Sequence, residues 1–408
     1  MAISVEEALE KIYEKVTAKP TELISIEEAL GRIVAFELIA THNLPPYDNS
    51  AMDGYAIKAD DCGKTVKVIE TIFAGDNKSI LLTSDNSVKI MTGARIPDGC
   101  EAIVPQEDVQ ITTEGIILPQ TIRPAQHIRL CGEDIQKDDV LLKAKTRLHA
   151  HHITLLASQG ISHIHVHKRP HVAIFASGSE LKMHYETVAP HQLYNTNSPT
   201  FLARAKELGC DVSFIGTSGD TLQEIKEHIA ASLDADLIVT SGGVSVGDAD
   251  FTKEAFSAFG FDKAFDKISI KPGKPTTFGS IGNSFVLNLP GNPLAAALNF
   301  ELFGQSIILA LSGDFKKYLG VLHVKLAEEF KTRSGRRALV PGFYDGKSFR
   351  VCGKFAPGMV SPLATSNGYM MIDESVAELK AGTVVKIVPT QFTLYTSEQQ
   401  ELITYGHL

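Results

Sequence analysis

The chain has 408 residues, and at about 150 residues per domain this length predicts roughly two to four domains. Asp and Glu outnumber Lys and Arg by 48 to 39, so the formal net charge is −9, which argues against a nucleic-acid-binding protein with a broad basic surface. Apolar residues make up 44% and charged residues 21% of the chain, which excludes the disordered, collagen-like and coiled-coil classes.

Cysteine usage, the N-terminal residues and the most apolar stretch of the chain bear on the cellular compartment. The five cysteines are widely spaced and form no CxxC pair, which favours a reducing cytoplasm. The first residues are acidic where an export signal needs a basic segment and an apolar run. The most apolar long stretch, residues 294–311, contains Asn, Glu, Gln and Ser, so we expect no membrane span.

The N-terminal segment carries two helix-start signals. Ser4 and Glu7 form a capping box that predicts a helix to about Thr17. Ser25 and Glu28 repeat the device and predict a short second helix. Residues 148–158 are again helical in pattern, and we expect them to rejoin the N-terminal segment across a β-rich insert.

The remaining pattern predicts a multidomain α/β plus β protein. In residues 170–312, apolar strands alternate with helices, which is typical of a doubly wound parallel sheet with helices on both faces. Short β runs follow and predict a C-terminal β-barrel-like domain. The predicted domains are a helical/extended N-terminal domain (1–44 plus 140–168), an inserted all-β domain (45–139), the doubly wound domain (169–315) and the C-terminal β domain (316–408).

Three glycine-containing loops follow strands of the predicted parallel sheet. Ligands of such sheets bind outside the carboxyl ends of the strands, where glycine lets backbone N–H groups approach a phosphate. Each loop alone is equally consistent with a tight turn, but three together favour a phosphorylated ligand. The residues of these loops that we expect to line the ligand site are Ser177, Gly178, Glu180, Ser241, Gly242, Gly243, Ser245, Pro290, Gly291 and Asn292.

Lysines and carboxylates lie close to these loops in the sequence. Lys267 and Lys271 have an even separation and would share one face of an extended strand, with Lys274 in the proline-flanked loop after it. Lysine suits phosphate or an oxyanion such as molybdate, although a solvated strand is the simpler alternative. Carboxylates near a phosphate require a bridging cation, which predicts Mg²⁺; they are Glu180, Asp220, Asp248 and Asp250.

Polar groups outside the doubly wound domain have less specific patterns. The loops at residues 45–55 and 91–107 could be plain turns, and Asp134 lies beside Arg129 in what could be a surface ion pair. His163, His165 and His167 alternate along one strand. This spacing could chelate Zn²⁺ or Ni²⁺, but a solvated face is the favoured interpretation because no defined ligand joins it.

As a set, these segments resemble the molybdopterin molybdenumtransferase family, which comprises the MoeA proteins and the E domain of gephyrin. Eight strings in the family's order carry the resemblance: PPYDNSAMDGYAI, MTGARIPDGCEAIVPQED, RLCGEDI, SGSEL, YNTNS, TSGGVSVGDADFTKEAF, IKPGKPTTFG and LPGNPLAAALNF. They span most of the chain, and the C-terminal part matches least.

The resemblance implies that molybdenum from molybdate is inserted into adenylylated molybdopterin with release of AMP, assisted by Mg²⁺ or Zn²⁺. It implies catalytic roles for Asp53, Thr92, Asp134, Lys267 and Lys271. Metal ligands would come from Asp53 and from the phosphate-site carboxylates Glu180, Asp220 and Asp250. The glycine loops, with Lys274, would bind the molybdopterin. Tungstate fits the same pattern as molybdate because both are tetrahedral dianions.

The resemblance also implies four domains and a cytoplasmic homodimer in which the insert of one subunit completes a cleft on the other. Implied protein partners are a molybdopterin adenylyltransferase and apo-molybdoenzymes, with no nucleic acid and no membrane. Two alternatives stay open. A molybdopterin adenylyltransferase uses a similar doubly wound domain but has no use for the Asp53 and Thr92 loops, and a scaffold that binds a partner peptide needs no chemistry at all.

Overall fold

The computed structural model describes residues 2–219, 221–242 and 249–391, with only the backbone of residues 249 and 250. Helices occupy a modest part of this chain and belong mainly to the central α/β unit. They are Val5–Lys15, Ala150–Ser158, Asn197–Glu207, Leu222–Ser232, Ala249–Ala258, Pro293–Asn299, Gln305–Ser312 and Ser361–Ala364, with a π-helical turn at Phe300–Gly304.

The α/β unit is built on a six-stranded sheet whose first four strands are parallel. Alternate residues of its strands face two separate apolar cores: Val172 and Ile174 contribute to one, whereas Phe175 contributes to the other. Helices therefore cover both faces, which confirms the doubly wound prediction. The strand order is Asp211–Ser218, His171–Ser177, Leu237–Ser241, Ser284–Leu289, Thr277–Ile281 and Asp262–Phe265.

The first helix, Val5–Lys15, is part of the α/β unit's core. Its start is capped as predicted, because the Ser4 hydroxyl accepts a hydrogen bond from the Glu7 N–H at 3.0 Å. Its buried side chains pack in the same core as Phe201 and Leu311. The sequence grouped this helix with the N-terminal domain, since an amphipathic pattern specifies an apolar face but not the surface that covers it.

A smaller unit combines segments from both sides of the insert. Strand Thr21–Ser25 pairs antiparallel with His163–His167, and helix Ala150–Ser158 packs on the same core. Ser25 caps the short 3₁₀ helix Ile26–Glu28. Side chains from residues 26–34 and 142–166 form one apolar cluster, so the two segments fold together.

The insert is a β-sheet unit attached by the strand pair Leu38–Ile39 and Val140–Leu142. Two apolar clusters pack on its main sheet. Within the described ranges, no hydrogen bond joins residues 45–139 to residues 170–391. The main sheet has the order Ala102–Pro105, Gly54–Ile57, Asn86–Ile90, Thr65–Ile72, Ile116–Ile117 and Gln110–Ile111, and a separate pair joins Asn49–Ser50 to Ile128–Arg129.

The C-terminal unit is a five-stranded barrel, as the sequence predicts. Strand Arg337–Tyr344 pairs with both Ser348–Val351 and Gly368–Ile372, which closes the barrel. Residues 392–408 of the predicted C-terminal domain lie outside the described residues. The barrel order is Arg337–Tyr344, Ser348–Val351, Leu322–Leu326, Val384–Pro389 and Gly368–Ile372, and Phe330–Lys331 pairs separately with Glu378–Leu379.

The most apolar helical segment runs from Pro293 to Ser312. It is long and apolar enough to cross a membrane, but 83% of it is buried inside the protein. It therefore fits the core helix of the α/β unit, where Leu298, Phe303 and Ile307 pack. All five cysteines are free thiols, in agreement with the absence of a disulfide pattern.

Candidate functional site

Three of the predicted loops meet at the carboxyl edge of the parallel sheet. Gly242 has a φ of +93°, and a Cβ there would lie 2.2 Å from the Ser177 carbonyl oxygen. A Cβ on Gly291 would lie 3.6 Å from the Gly242 Cα. At Gly242 only glycine permits such a close contact, and Gly291 lies in ordinary contact with it, so the three loops meet in one cradle of backbone groups, as the sequence predicts.

The floor of the cradle is a set of buried polar side chains. Ser241 and Ser177 are buried at the ends of their strands, and the Thr240 hydroxyl donates to Asn288 Oδ1 at 2.7 Å. Asn197, which the sequence did not single out, donates from Nδ2 to the Gly291 carbonyl at 2.8 Å. Its only signal was its place in the YNTNS string.

Glu180 lies over the first loop of the cradle. Its carboxylate oxygens would lie 2.8 and 2.9 Å from a Cβ on Gly178, and its side chain is exposed. The Gly178 N–H donates to the Ser218 carbonyl at 3.1 Å, which joins this loop to the end of the neighbouring strand. The arrangement places one carboxylate beside the glycine cradle.

A cavity of about 310 Å³ adjoins this edge between helix Ala249–Ala258 and the antiparallel strands. Lys267 lines it, and so does Asn288 from the cradle floor. Lys263 Nζ lies 2.8 Å from Asp266 Oδ2, and this hydrogen bond lowers the pKa of the Asp266 carboxyl. The cavity therefore presents ammonium groups above an apolar floor.

The predicted extended strand carrying Lys267 and Lys271 is shorter than the spacing suggested. Only Ile270–Lys271 is a strand, and it pairs parallel with Arg337–Ala338 of the barrel. Lys267 lies outside this strand, next to Ile268, which forms an isolated parallel bridge with Ile3. Exposure nevertheless alternates along residues 267–271, with both lysines exposed and Ile268 and Ile270 buried between them.

The loop between Lys271 and Lys274 is held rigidly from beneath. Gly273 has a φ of +112°, and a Cβ there would lie 1.8 Å from Asn299 Nδ2. Asn299 Nδ2 donates to the Pro272 carbonyl at 3.2 Å, and the Thr276 hydroxyl donates to the Gly273 carbonyl at 2.8 Å. Buried polar contacts thus fix the backbone from which the lysines project.

A second cluster lies in the insert. Asp53 Oδ1 accepts hydrogen bonds from both the N–H and the hydroxyl of Thr92, each at 2.7 Å. These bonds, first the backbone one and then the side-chain one, lower the pKa of the exposed Asp53 carboxyl. The structure therefore brings together two residues that lie 39 positions apart and keeps the carboxylate ionised.

The remaining predicted residues divide into three groups. Asp134 is exposed in the insert, and its N–H donates to the Leu44 carbonyl at 3.0 Å. Pro290 is buried and Asn292 is exposed at the start of helix Pro293–Asn299. Asp220, Gly243, Ser245, Asp248 and the side chain of Asp250 lie outside the described residues.

The oxygen-rich carboxylates fit a hard cation better than a soft one. Asp53 is ionised and Glu180 borders the anion cradle, and carboxylate oxygens are the ligands that Mg²⁺ prefers. Among the residues that the structure describes, no group of three or more His, Cys, Asp or Glu side chains is arranged to hold a metal. His163 and His165 are exposed on their strand, in agreement with a solvated face, whereas His167 is partly buried with Nδ1 2.8 Å from the Lys19 carbonyl oxygen.

Three family models match successive parts of the chain. Residues 3–160 match the MoeA N-terminal region (domain I and II), and residues 173–310 match a model described as a probable molybdopterin binding domain. Residues 323–390 match the MoeA C-terminal region (domain IV).

Curated proteins and solved structures agree with these models over nearly the whole chain. A molybdopterin molybdenumtransferase of Haemophilus influenzae is 35% identical over 95% of this chain and 98% of its own length. One from Staphylococcus aureus is 30% identical over 95% of this chain and 96% of its own length. The crystal structure of a molybdopterin biosynthesis MoeA protein from Pyrococcus horikoshii is 26% identical, covers 95% of this chain and 100% of that one, and superimposes with a TM-score of 0.83.

The order of the matched regions is the order of the structural units, and the glycine cradle lies in the region that matches the molybdopterin-binding model. The resemblance carried by the eight strings is thereby confirmed. The chain belongs to the MoeA family of molybdopterin molybdenumtransferases.

Proposed function

We propose that this chain is a molybdopterin molybdenumtransferase that inserts molybdenum from molybdate into adenylylated molybdopterin and releases AMP. The observation that carries the proposal is the close packing of the Gly242 backbone on the Ser177 carbonyl, which brings the glycine loops together as one cradle at the carboxyl edge of the sheet. Such a cradle suits the phosphates of an adenylylated substrate. The names of the relatives support the reaction.

Each charged group has a place in this proposal. Lys267, Lys271 and Lys274 supply positive charge for molybdate and for the phosphates, because lysine is a compact, strongly hydrated cation. The Lys263 ammonium is engaged by Asp266, whereas Lys267 lines the adjoining cavity. Gly243 and Ser245 extend the second loop of the cradle in the sequence.

Mg²⁺, or alternatively Zn²⁺, completes the proposed site. Glu180, Asp220 and Asp250 are its proposed ligands on the α/β unit, and Asp53 is its proposed ligand on the insert. When bound, the cation neutralises charge between these carboxylates and the substrate phosphates. Thr92 holds the Asp53 carboxylate ionised and oriented for this contact, since it donates two hydrogen bonds to one oxygen.

A homodimer brings the two clusters together in the proposal. In the described ranges, no hydrogen bond connects the insert to residues 170–391 of the same chain. We propose that Asp53, Thr92 and Asp134 of one subunit face the glycine cradle of the other. We place this dimer in the cytoplasm, where a molybdopterin adenylyltransferase would supply the substrate and apo-molybdoenzymes would receive the product.

The direct test incubates purified protein with adenylylated molybdopterin, molybdate and Mg²⁺ and follows AMP release and cofactor formation. Asp53→Ala is expected to abolish both signals without unfolding, because Asp53 is exposed. Asp60→Ala, an exposed carboxylate in the same insert, is the matched control and should retain activity. Binding of substrate without either product would contradict the transferase, and full activity of Asp53→Ala would remove Asp53 from the site.

A further inference from the structure

A second cationic cavity lies at the opposite edge of the α/β sheet from the glycine cradle. It has a volume of about 660 Å³ and opens where the chain enters strands His171–Ser177 and Asp211–Ser218. Its lining consists of Lys19, Glu22, Arg32, Lys168, Arg169, His171 and Asp211. Four permanent cations thus face two carboxylates, in a chain whose net charge is −9. We name this space the junction cavity.

Arg32 forms the buried part of the junction cavity. Its side chain is 9% exposed, and Nη2 donates to the Glu22 carboxylate and to the His167 carbonyl. Its Nε and Nη1 groups make no hydrogen bond to the described residues, and both atoms remain accessible to solvent. A buried guanidinium therefore keeps donors that are open to the cavity, which is costly unless water or an anion accepts from them.

The other cations differ in how far they are already neutralised. Lys19 pairs with Asp236, whose other oxygen accepts the His171 N–H at 2.7 Å. Lys168 and Arg169 are exposed and make no ion pair with the described part of the chain. These two cations share the cavity with one further carboxylate, Asp211, so cationic groups are in excess beside the Arg32 guanidinium, which is a set of donors suited to an oxyanion.

The cavity is formed by the two segments that connect the N-terminal unit to the α/β unit. Lys19 follows helix Val5–Lys15, and Lys168 and Arg169 lie between strands His163–His167 and His171–Ser177. The segments contact each other, because the Lys168 N–H donates to the Pro20 carbonyl at 2.9 Å. An anion bound here would contact both connecting segments at once.

We propose that the junction cavity binds a tetrahedral oxyanion of the phosphate class and thereby restrains the N-terminal unit, with its insert, against the α/β unit. The anion accepts hydrogen bonds from Arg32 and ion pairs with Lys168 and Arg169. Free inorganic oxyanions and the phosphate of a nucleotide share this chemistry. The inference concerns a place distinct from the glycine cradle and goes beyond the proposed transferase.

The test compares the wild-type chain with Lys168→Ala/Arg169→Ala, using inorganic phosphate, molybdate and AMP as separate probes in calorimetry at constant ionic strength. Both side chains are exposed, so the variant should fold. We expect at least one probe to bind the variant about tenfold more weakly, which corresponds to about 1.4 kcal/mol. The matched control is Arg333→Ala/Lys380→Ala, which removes two exposed cations from the C-terminal unit and should leave binding unchanged.

Hydrogen exchange with phosphate locates the site directly. We expect phosphate to slow hydrogen exchange in residues 167–171, because these backbone amides belong to a segment that connects the two units at the junction cavity. Equal affinity of the wild-type and Lys168→Ala/Arg169→Ala chains for all three probes, or protection confined to the glycine loops, would overturn the proposal. Absence of binding by every probe would do the same. AMP release without added phosphate tests the transferase separately, so the two can fail independently.

Discussion

The hydrogen bonds from Thr92 to Asp53 lower the pKa of the Asp53 carboxyl. Thr92→Val removes the hydroxyl donor and keeps the backbone N–H, which is the larger cause of the lowered pKa. We expect the pKa of Asp53 to rise but to remain below its ordinary value. Titration of the carboxyl carbon by NMR measures this change. An unchanged pKa would show that the hydroxyl does not interact with the carboxylate in solution.

The sign of the associated pH dependence follows from the lowered pKa. A carboxyl with a depressed pKa in the folded state contributes stability above its unfolded pKa and loses it as the pH falls through the folded value. Cation binding through Asp53 should follow the same course. The Thr92→Val chain should therefore lose Mg²⁺ affinity at a higher pH than the wild type.

Gly242 is the residue on which the cradle depends. Gly242→Ala adds a Cβ that would meet the Ser177 carbonyl at 2.2 Å and also strains a backbone with positive φ. We expect a loss of about 1–3 kcal/mol from the conformation alone and, beyond it, a loss of substrate affinity because the loops must separate. Denaturant unfolding and substrate titration measure the two effects.

Gly209→Ala is the matched control for the cradle. Gly209 has a φ of +84°, but a Cβ there would meet no atom within 4 Å. It should therefore lose similar stability and keep its affinity for substrate. If Gly242→Ala bound substrate as well as Gly209→Ala does, the close contact would not shape the binding site.

Between elements, a buried ion pair joins helix Asn197–Glu207 to the π-helical turn Phe300–Gly304. Arg204 Nε and Nη2 donate to the two oxygens of Glu301 at 2.8 and 3.1 Å. Arg204→Met would leave Glu301 buried without its partner, which typically costs about 3–5 kcal/mol. Unfolding by denaturant measures the loss, and Arg204→Met/Glu301→Leu should recover most of it.

The pH dependence of this variant adds a second measurement. Burial raises the pKa of the Glu301 carboxyl, so the stability associated with its protonated form is lost as the pH rises through the folded value. Without Arg204 the pKa of the Glu301 carboxyl should rise further. The deficit of Arg204→Met should accordingly shrink in mildly acidic solution. A deficit independent of pH would mean that lost packing, rather than charge, accounts for it.

For the whole molecule, the separation of the two clusters gives a test of the proposed homodimer. Chains carrying Asp53→Ala and chains carrying Gly242→Ala are each expected to be inactive. If the cleft forms between subunits, mixed dimers contain one intact site, and random exchange should restore about a quarter of wild-type activity. Activity is measured after unfolding and refolding the mixture. No recovery, with mixed dimers demonstrated, would place both clusters in one subunit.

Local chemistry explains what could be predicted from the sequence. The glycine loops were predictable because Gly and Ser directly after buried strands are a local signal, and the barrel because short β runs recur. The packing of helix Val5–Lys15 was not, since it depends on a surface about 300 residues away in the chain. The predicted strand from Lys267 to Lys271 is longer than the observed one, because pairing with Ile3 and with the barrel, both distant in sequence, determines where it begins and ends.

Through the strand Ile270–Lys271, the C-terminal barrel supports the lysine segment of the proposed site. The strand's partner is Arg337–Ala338, so a chain truncated before the barrel would keep every glycine loop yet lose the strand that anchors the lysine segment. Substitutions deep in the barrel, such as at Phe349, would then be recorded in genetic screens as activity defects although they lie in another structural unit.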